Sequence, residues 1–317
     1  MRLAEQIPAG SWAMAMGCGI VSIDLLVAGQ PVASAVLFWL AVVVWVVLAV
    51  RWIGAPTSAV REFSSPAALG CVAATAVLGA RIAGQWHAAV AAAAVLLVVA
   101  LVVLGVLLWP VLSHWTTPTV GGSFLVTVAT QGVAGLAAVL AAAYRADWLL
   151  YAAIVLFAAG LAGYLVVLWQ FDFGSVGTGA GDQWVAGGAL AISTLAAAKI
   201  AASTATLGVF GGGSGGGGSR LAAVDDVALA LWCGAMAWLI PLVVSEFIRP
   251  RLGYHVLRWA TVFPVGMYAA CSFAVGQVTG IGGITDFARI WTPIAVAVTL
   301  IVLIGLTRRA LRGGGVS

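Results

Sequence analysis

Few side chains in this 317-residue sequence carry groups that could bind an ion or take part in a reaction. The clearest candidate is the only lysine, Lys199. It lies well inside an apolar segment, where an ionised side chain costs about 2.5–3.5 kcal/mol to insert into a bilayer. If Lys199 faces an internal passage, its fixed positive charge favours anions. Alternatively, it extends toward the membrane interface and has no such role. Asp24, toward the end of the first apolar segment, is either its partner or an interfacial acid.

Motifs typical of enzymes and metal sites are largely absent. The sequence has no HExxH and no P-loop, and its four cysteines show no CxxC spacing. Its three histidines, His87, His114 and His255, fall at predicted helix ends, and Asp24 is the only acid well inside an apolar segment. We therefore expect neither an enzyme nor a cofactor or metal site. The arginines are dispersed rather than clustered on one face, which argues against a nucleic-acid partner.

A proline marks a second candidate feature. Pro264 lies inside the apolar stretch "RWATVFPVGMYAA", where a proline removes one helical hydrogen bond and predicts a kink. Unpaired backbone groups at membrane depth are tolerated only against protein or a hydrated cavity. Phe263, directly before the kink and near the small residue Gly266, would then close a narrow apolar passage as a gate. The alternative is an ordinary core or lipid-facing aromatic side chain.

The elements that must position these residues are membrane helices. Of the residues, 63% are apolar and 8% charged, whereas a soluble domain needs about 25% charged residues. Mean hydropathy is +1.14. Ten apolar blocks near the length that crosses a bilayer follow one another. They cover 9–29, 32–53, 66–84, 87–112, 119–143, 147–170, 183–208, 225–248, 256–278 and 287–308.

The short connections predict a single transmembrane domain over residues 1–317. Nine arginines fall on the side that holds both predicted termini, and four on the other side. The positive-inside rule therefore places both termini in the cytoplasm, as expected for a multi-pass protein of the plasma membrane. Residues 211–219 read GGGSGGGGS, which predicts a flexible, linker-like loop between the seventh and eighth spans. The sequence leaves open whether this run is natural or engineered.

The spans alternate in composition. The cores of the odd spans contain fourteen glycines, and those of the even spans contain five together with long bulky runs. Small residues let helix backbones approach closely, whereas bulky apolar surface suits lipid. The pattern predicts an all-α integral membrane fold of five helical hairpins. In it, small-residue odd helices form an inner ring around a pore and bulky even helices lie outside.

Four motifs in these spans are similar to those of a known family. They are "IPAGSWAMAMGCGIVS", "GGSFLVTVATQGVAGLAAVLA", "DQWVAGGALAISTLA" and "RWATVFPVGMYA". In this order they resemble the tellurite-resistance/dicarboxylate transporter family, which includes plant slow anion channels and fungal malate and sulfite transporters. The resemblance implies ten helices around a five-helix pore, commonly in a homotrimer. It also implies that the aromatic residue at position 263 plugs the pore.

Together these features predict an anion channel or transporter for small anions or C4-dicarboxylates, with tellurite and sulfite among the candidates. A proton-coupled C4-dicarboxylate carrier and a non-conducting membrane scaffold are the alternatives. The expected partners are small anions and the lipid bilayer. Phe263 and Pro264 form the expected gate. The candidate pore-lining residues are Gly17, Gly19, Ser22, Thr130, Gln131, Ser193, Thr194, Lys199 and Gly266.

Overall fold

The computed structural model describes residues 9–54, 63–179, 181–209, 217–250 and 254–311. Within these ranges the chain forms ten long α-helices joined by short turns and 3-10 segments. They are α1 (Trp12–Val27), α2 (Pro31–Gly54), α3 (Gly70–Gln85), α4 (Val90–Ser113), α5 (Leu125–Tyr144), α6 (Asp147–Trp169), α7 (Trp184–Leu207), α8 (Gly217–Ile248), α9 (Trp259–Thr279) and α10 (Gly282–Leu311). The predicted all-helical membrane architecture is confirmed.

Nine of the helices in the described residues are long and apolar enough to cross a bilayer. The exception is α1, whose 16 residues rise about 24 Å at about 1.5 Å per residue. The 3-10 turn Ala9–Ser11 precedes it directly. Both α8 and α10 begin earlier than the apolar blocks predict, because hydropathy marks the depth of hydrocarbon rather than the ends of a helix. Of the Gly/Ser run, residues 211–216 lie outside the described residues, and Gly217 begins α8.

Burial alternates along the chain as composition does. The buried share of the most apolar stretch is 72–94% for the spans that contain α3, α5, α7 and α9. For α2, α4, α6, α8 and α10 it is 22–28%. Most residues of α1 are buried as well. The small-residue helices are therefore the core of the bundle, and the bulky helices present their side chains to its surface.

Helix contacts define how the bundle is assembled. Each odd helix packs against the even helix that follows it, which gives five antiparallel hairpins. Each odd helix also contacts two other odd helices, in the cyclic order α1, α3, α5, α7, α9 and back to α1. The five inner helices thus run in the same direction, with all their C-terminal ends on one side of the bundle.

Tryptophans on the outer helices form hydrogen bonds with the inner helices. In each case an indole N–H, which is otherwise costly to bury, donates a hydrogen bond to a polar group of an inner helix. The pairs are Trp45 to Thr75 Oγ1 at 2.8 Å, Trp232 to Ser272 Oγ at 2.8 Å, and Trp291 to the carbonyl oxygen of Val265 at 3.0 Å.

Candidate functional site

A cavity of about 530 Å³ lies inside the middle and C-terminal parts of the odd helices. All five odd helices contribute to its wall, and Thr285 of α10 completes it. Most of its lining is apolar. The first residue of each odd helix to line it is Ile20, Ala76, Gln131, Ile192 or Met267, in chain order. Beyond these residues, toward the N-terminal ends of the helices, large side chains of the ring are buried, among them Met16, Phe124, Trp259 and Phe263.

Three ionisable side chains line this cavity: Asp24 on α1, Arg81 on α3 and Lys199 on α7. Lys199 is half-buried and has no hydrogen-bond or ion-pair partner in the described part of the chain. This placement favours the cavity-facing interpretation of the lone lysine. Helices α1 and α7 are not neighbours in the ring, so Asp24 and Lys199 lie on non-adjacent walls and form no ion pair.

Asp24 is completely buried, with 0% of its surface exposed. Neither of its carboxylate oxygens has a hydrogen-bond partner among the described residues. Its Oδ2 lies at the α1–α9 interface, 3.4 Å from the position that a Cβ would take at Gly266. A buried carboxylate without a donor is costly, so Asp24 is the most exceptional polar group in the cavity wall.

Arg81 is buried but well supported. Its Nη2 donates to Ser34 Oγ at 2.8 Å, and its Nη1 donates to Gln85. The guanidinium carbon lies 5.3 Å from the ring centre of Phe38 and 5.6 Å from that of Trp86. Stacking on aromatic faces suits the planar guanidinium. No carboxylate neutralises its charge within the described residues, so Arg81 adds a fixed positive charge to the wall.

The predicted polar lining residues mostly do not reach the cavity. The hydroxyl groups of four of them donate instead to carbonyl oxygens one turn earlier in their own helix. They are Ser22 to Gly19 at 2.8 Å, Thr130 to Val126 at 2.9 Å, Ser193 to Ala189 at 2.7 Å, and Thr194 to Leu190 at 2.9 Å. Gln131 contributes to the wall, but its Nε2 donates to the carbonyl oxygen of Phe157 on α6 at 3.0 Å.

The predicted glycines lie where odd helices touch one another. A methyl group added at any of them would come closer to a neighbouring side chain than van der Waals contact allows. It would lie 2.8 Å from Val262 Cγ1 at Gly17, 2.8 Å from Val77 Cγ1 at Gly19, and 2.7 Å from Ile20 Cγ2 at Gly266. The structure thus gives these three positions a packing role, which is what holds the ring closed.

Phe263 and Pro264 lie just beyond the closed end of the cavity. Phe263 is 1% exposed, and it precedes Met267 by one helical turn, a rise of about 6 Å. Helix α9 continues through Pro264, whose ring packs on Gly188 of α7. Prolines also occur within α4, α8 and α10, so a proline inside a helix does not by itself distinguish α9. Pro264 differs from the other helical prolines because it is buried and lies just below the cavity.

The histidines do not converge on a site. In the described residues, no three side chains of His, Cys, Asp or Glu come together as metal ligands would. His114 Nδ1 lies 2.9 Å from the carbonyl oxygen of Pro110, and His255 Nδ1 accepts the backbone N–H of Leu257 at 3.2 Å. The side chain of His87 lies outside the described residues.

Sequence reasoning missed Arg81 as a cavity residue because it was counted with the loop arginines. A signal was present: only Gln85 and Trp86 separate the two apolar blocks there, and Arg81 falls inside the first block rather than in the connection. Gln277 and Thr285 also line the cavity without any distinguishing pattern in the sequence.

Comparison with protein families identifies one match. The profile of a family described as voltage-dependent anion channel matches residues 6–307, nearly the whole chain. Comparison with curated proteins returned no match. The resemblance to the slow anion channels, inferred from four motifs, is confirmed.

Proposed function

The chain belongs to the voltage-dependent anion channel family, and we propose that it conducts small anions passively along the axis of its five odd helices. The observation that carries the proposal is the cavity that all five helices share and that ends one turn before Phe263. A cavity with fixed positive charges, next to a closed apolar stretch, is the form expected of a shut channel.

The proposed mechanism has two parts. Lys199 and Arg81 raise the concentration of anions in the cavity by attraction across a wall of low dielectric constant. The buried ring of Phe263 then blocks further movement, because an anion cannot shed its water to enter an apolar constriction. Displacing this side chain would be the first step in extending the cavity toward the opposite face.

The orientation predicted from the arginine distribution gives the side of the membrane on which the cavity would lie. If both termini are in the cytoplasm of a plasma-membrane protein, the C-terminal ends of the odd helices face outward. The cavity is then an outer vestibule. Small inorganic anions are the proposed substrates, with tellurite, sulfite and C4-dicarboxylates as further candidates, and the proposed assembly is a homotrimer.

Flux through proteoliposomes tests the proposal. We expect Phe263→Ala to raise nitrate or chloride conductance at least tenfold over the unchanged protein, since removing about 1.4 kcal/mol of barrier is enough for that factor. Phe124→Ala is the matched control. Phe124 is equally buried but packs on Tyr164 and Phe171, with ring centres 5.2 and 5.3 Å away, rather than near the constriction. Its conductance should stay at the basal value.

Three results separate the candidate functions. Conductance that rises only in Phe263→Ala supports the gated channel. Uptake of a C4-dicarboxylate that requires an imposed pH gradient supports the proton-coupled carrier, for which the ionisable group Asp24 in the cavity wall is the structural argument. No anion flux in either inserted protein would leave the scaffold as the function.

A further inference from the structure

A groove on the surface of the helix bundle lies outside the proposed conduction path. It has a volume of about 830 Å³ and is bounded by the end of α1, the turn that joins α1 to α2, and α10. On α10 its wall runs from Arg289 to Leu300, a length of about 16 Å at about 1.5 Å per residue. This is close to half of the roughly 30 Å of hydrocarbon in a bilayer, which is the depth of one leaflet.

The groove is polar at the membrane edge and apolar deeper in the membrane. Gln30, in the turn after α1, and Arg289, near the start of α10, line its polar end, and both are exposed. The deeper part is lined by Leu25, Val296 and Leu300. A phospholipid has the same order of chemistry, with a polar headgroup at the interface and acyl chains in the hydrocarbon.

Arg289 determines which headgroup the groove favours. It is the only charged residue among the described residues that line the groove. Its Nη1 donates to Asp286 Oδ1 at 3.1 Å, but Asp286 does not line the groove. The two side chains are 67% and 64% exposed, so this ion pair is weak. A guanidinium has five N–H donors in a fork that matches phosphate oxygens, so Arg289 can bind a phosphate with the donors that Asp286 does not engage.

We infer that this groove binds one anionic phospholipid, with its phosphate on Arg289 and one acyl chain between α1 and α10. An acyl chain gains little hydrophobic free energy when it moves from the bilayer into an apolar groove. The close fit of the chain and the contact of the phosphate therefore supply the preference. Val27 lines both the groove and the internal cavity, so the bound chain packs against a wall of the proposed conduction path.

A second copy of this chain is the competing occupant, since helices of membrane proteins also pack in apolar grooves. A helix of another copy would contact α10 through the depth of the membrane. The groove instead ends at Leu300, part of the way along α10. Its length and the cation at its polar end both favour a lipid.

Native mass spectrometry of the purified protein with equimolar phosphatidylglycerol and phosphatidylcholine tests this inference, because it counts bound lipids and protein copies together. We expect Arg289→Gln to lower the ratio of retained phosphatidylglycerol to phosphatidylcholine about fivefold, the equivalent of about 1 kcal/mol for one arginine near an anionic headgroup. Asp286→Asn removes the competing carboxylate and should raise the ratio. Arg145→Gln is the control: Arg145 is an exposed arginine at the C-terminal end of α5, on the same side of the bundle but outside the groove. Its ratio should not change.

A second pair of variants tests the position of the acyl chain. Ala297→Phe places an aromatic ring in the deeper part of the groove, so each copy should lose its one tightly retained lipid. Ala159→Phe makes the same change on the exposed surface of α6, and this control should retain the lipid.

An unchanged ratio in Arg289→Gln, or an equal fall in Arg145→Gln, overturns the inference. A groove filled by a second copy would also overturn it. In that case the unchanged protein retains no lipid, and Ala297→Phe, but not Ala159→Phe, lowers the number of copies in the assembly. These measurements do not require anion flux, so a failure here leaves the channel proposal intact.

Discussion

Replacing Gly188 by alanine should destabilise the inner ring at the contact that supports Pro264. Gly188 lies on α7, and its Cα faces the proline ring of α9. A methyl group there would lie 2.7 Å from Pro264 Cγ and 2.8 Å from Pro264 Cβ. A proline ring cannot rotate out of the way, so the two helices must separate.

The required movement sets the magnitude. Ordinary van der Waals contact begins at 3.4 Å, so α7 and α9 must move apart by roughly 0.7 Å, with losses to the packing around them. Overpacking of this kind costs about 1–3 kcal/mol. For a chain of this size that corresponds to roughly 2–6 °C in the midpoint of thermal unfolding.

Thermal unfolding of the purified protein in detergent is the assay, with Gly105→Ala as the matched control. Gly105 also lies within a helix, α4, but a methyl group there meets no atom within 4 Å. Its midpoint should stay equal or rise slightly, because alanine favours a helix over glycine by about 1 kcal/mol or less. Equal midpoints for the two variants would refute the claim that Gly188 and Pro264 set the separation of α7 and α9.

Two further outcomes follow from single contacts. Trp232→Phe and Ser272→Ala should each lower the midpoint of thermal unfolding, because each removes one partner of a 2.8 Å hydrogen bond. A double-mutant cycle should give a coupling free energy of about 0.5–1.5 kcal/mol, the value of one hydrogen bond. Additive effects of the two substitutions would mean that this contact contributes nothing to stability. In a Cys233→Ala background, Lys199→Cys should react with a charged thiol reagent, because position 199 lines the cavity, whereas Val102→Cys, on the exposed face of the outer helix α4, should not. The reverse order would place position 199 against lipid.

The gross architecture could be predicted because its causes are visible in composition. Glycine-rich and bulky segments alternate because backbones must approach closely in the inner ring, while lipid only requires apolar surface. Gly17 and Gly266 show this directly, since each admits a neighbouring side chain that a methyl group would displace. The predicted ends of the helices were less accurate, because hydropathy does not report where a helix begins. Helix α10, for example, begins at Gly282, five residues before the predicted apolar block.

The cavity lining was harder to predict because polarity within a membrane helix has two explanations. A serine or threonine can satisfy its hydroxyl on a carbonyl oxygen of its own helix, as Ser193 and Thr194 do, and then needs no cavity. Ionisable side chains such as Lys199 and Asp24 are costly to leave in an apolar membrane segment and are therefore stronger indicators of a cavity. Lys199 and Asp24 therefore marked the cavity better than the hydroxyl residues did, and Arg81 was missed because it was counted with the loop arginines although it lies inside the third apolar block.

The packing below the cavity decides how such a channel could open. Val262, Phe263 and Pro264 are held between α1 and α7, because Gly17 admits Val262 on one side and Gly188 admits Pro264 on the other. The backbone at this level therefore has little room to move, and displacing a whole helix would break both contacts. Rotation of the Phe263 side chain breaks neither. If Phe263 is the gate, as proposed above, these contacts favour opening by rotation of its side chain with the helices in place.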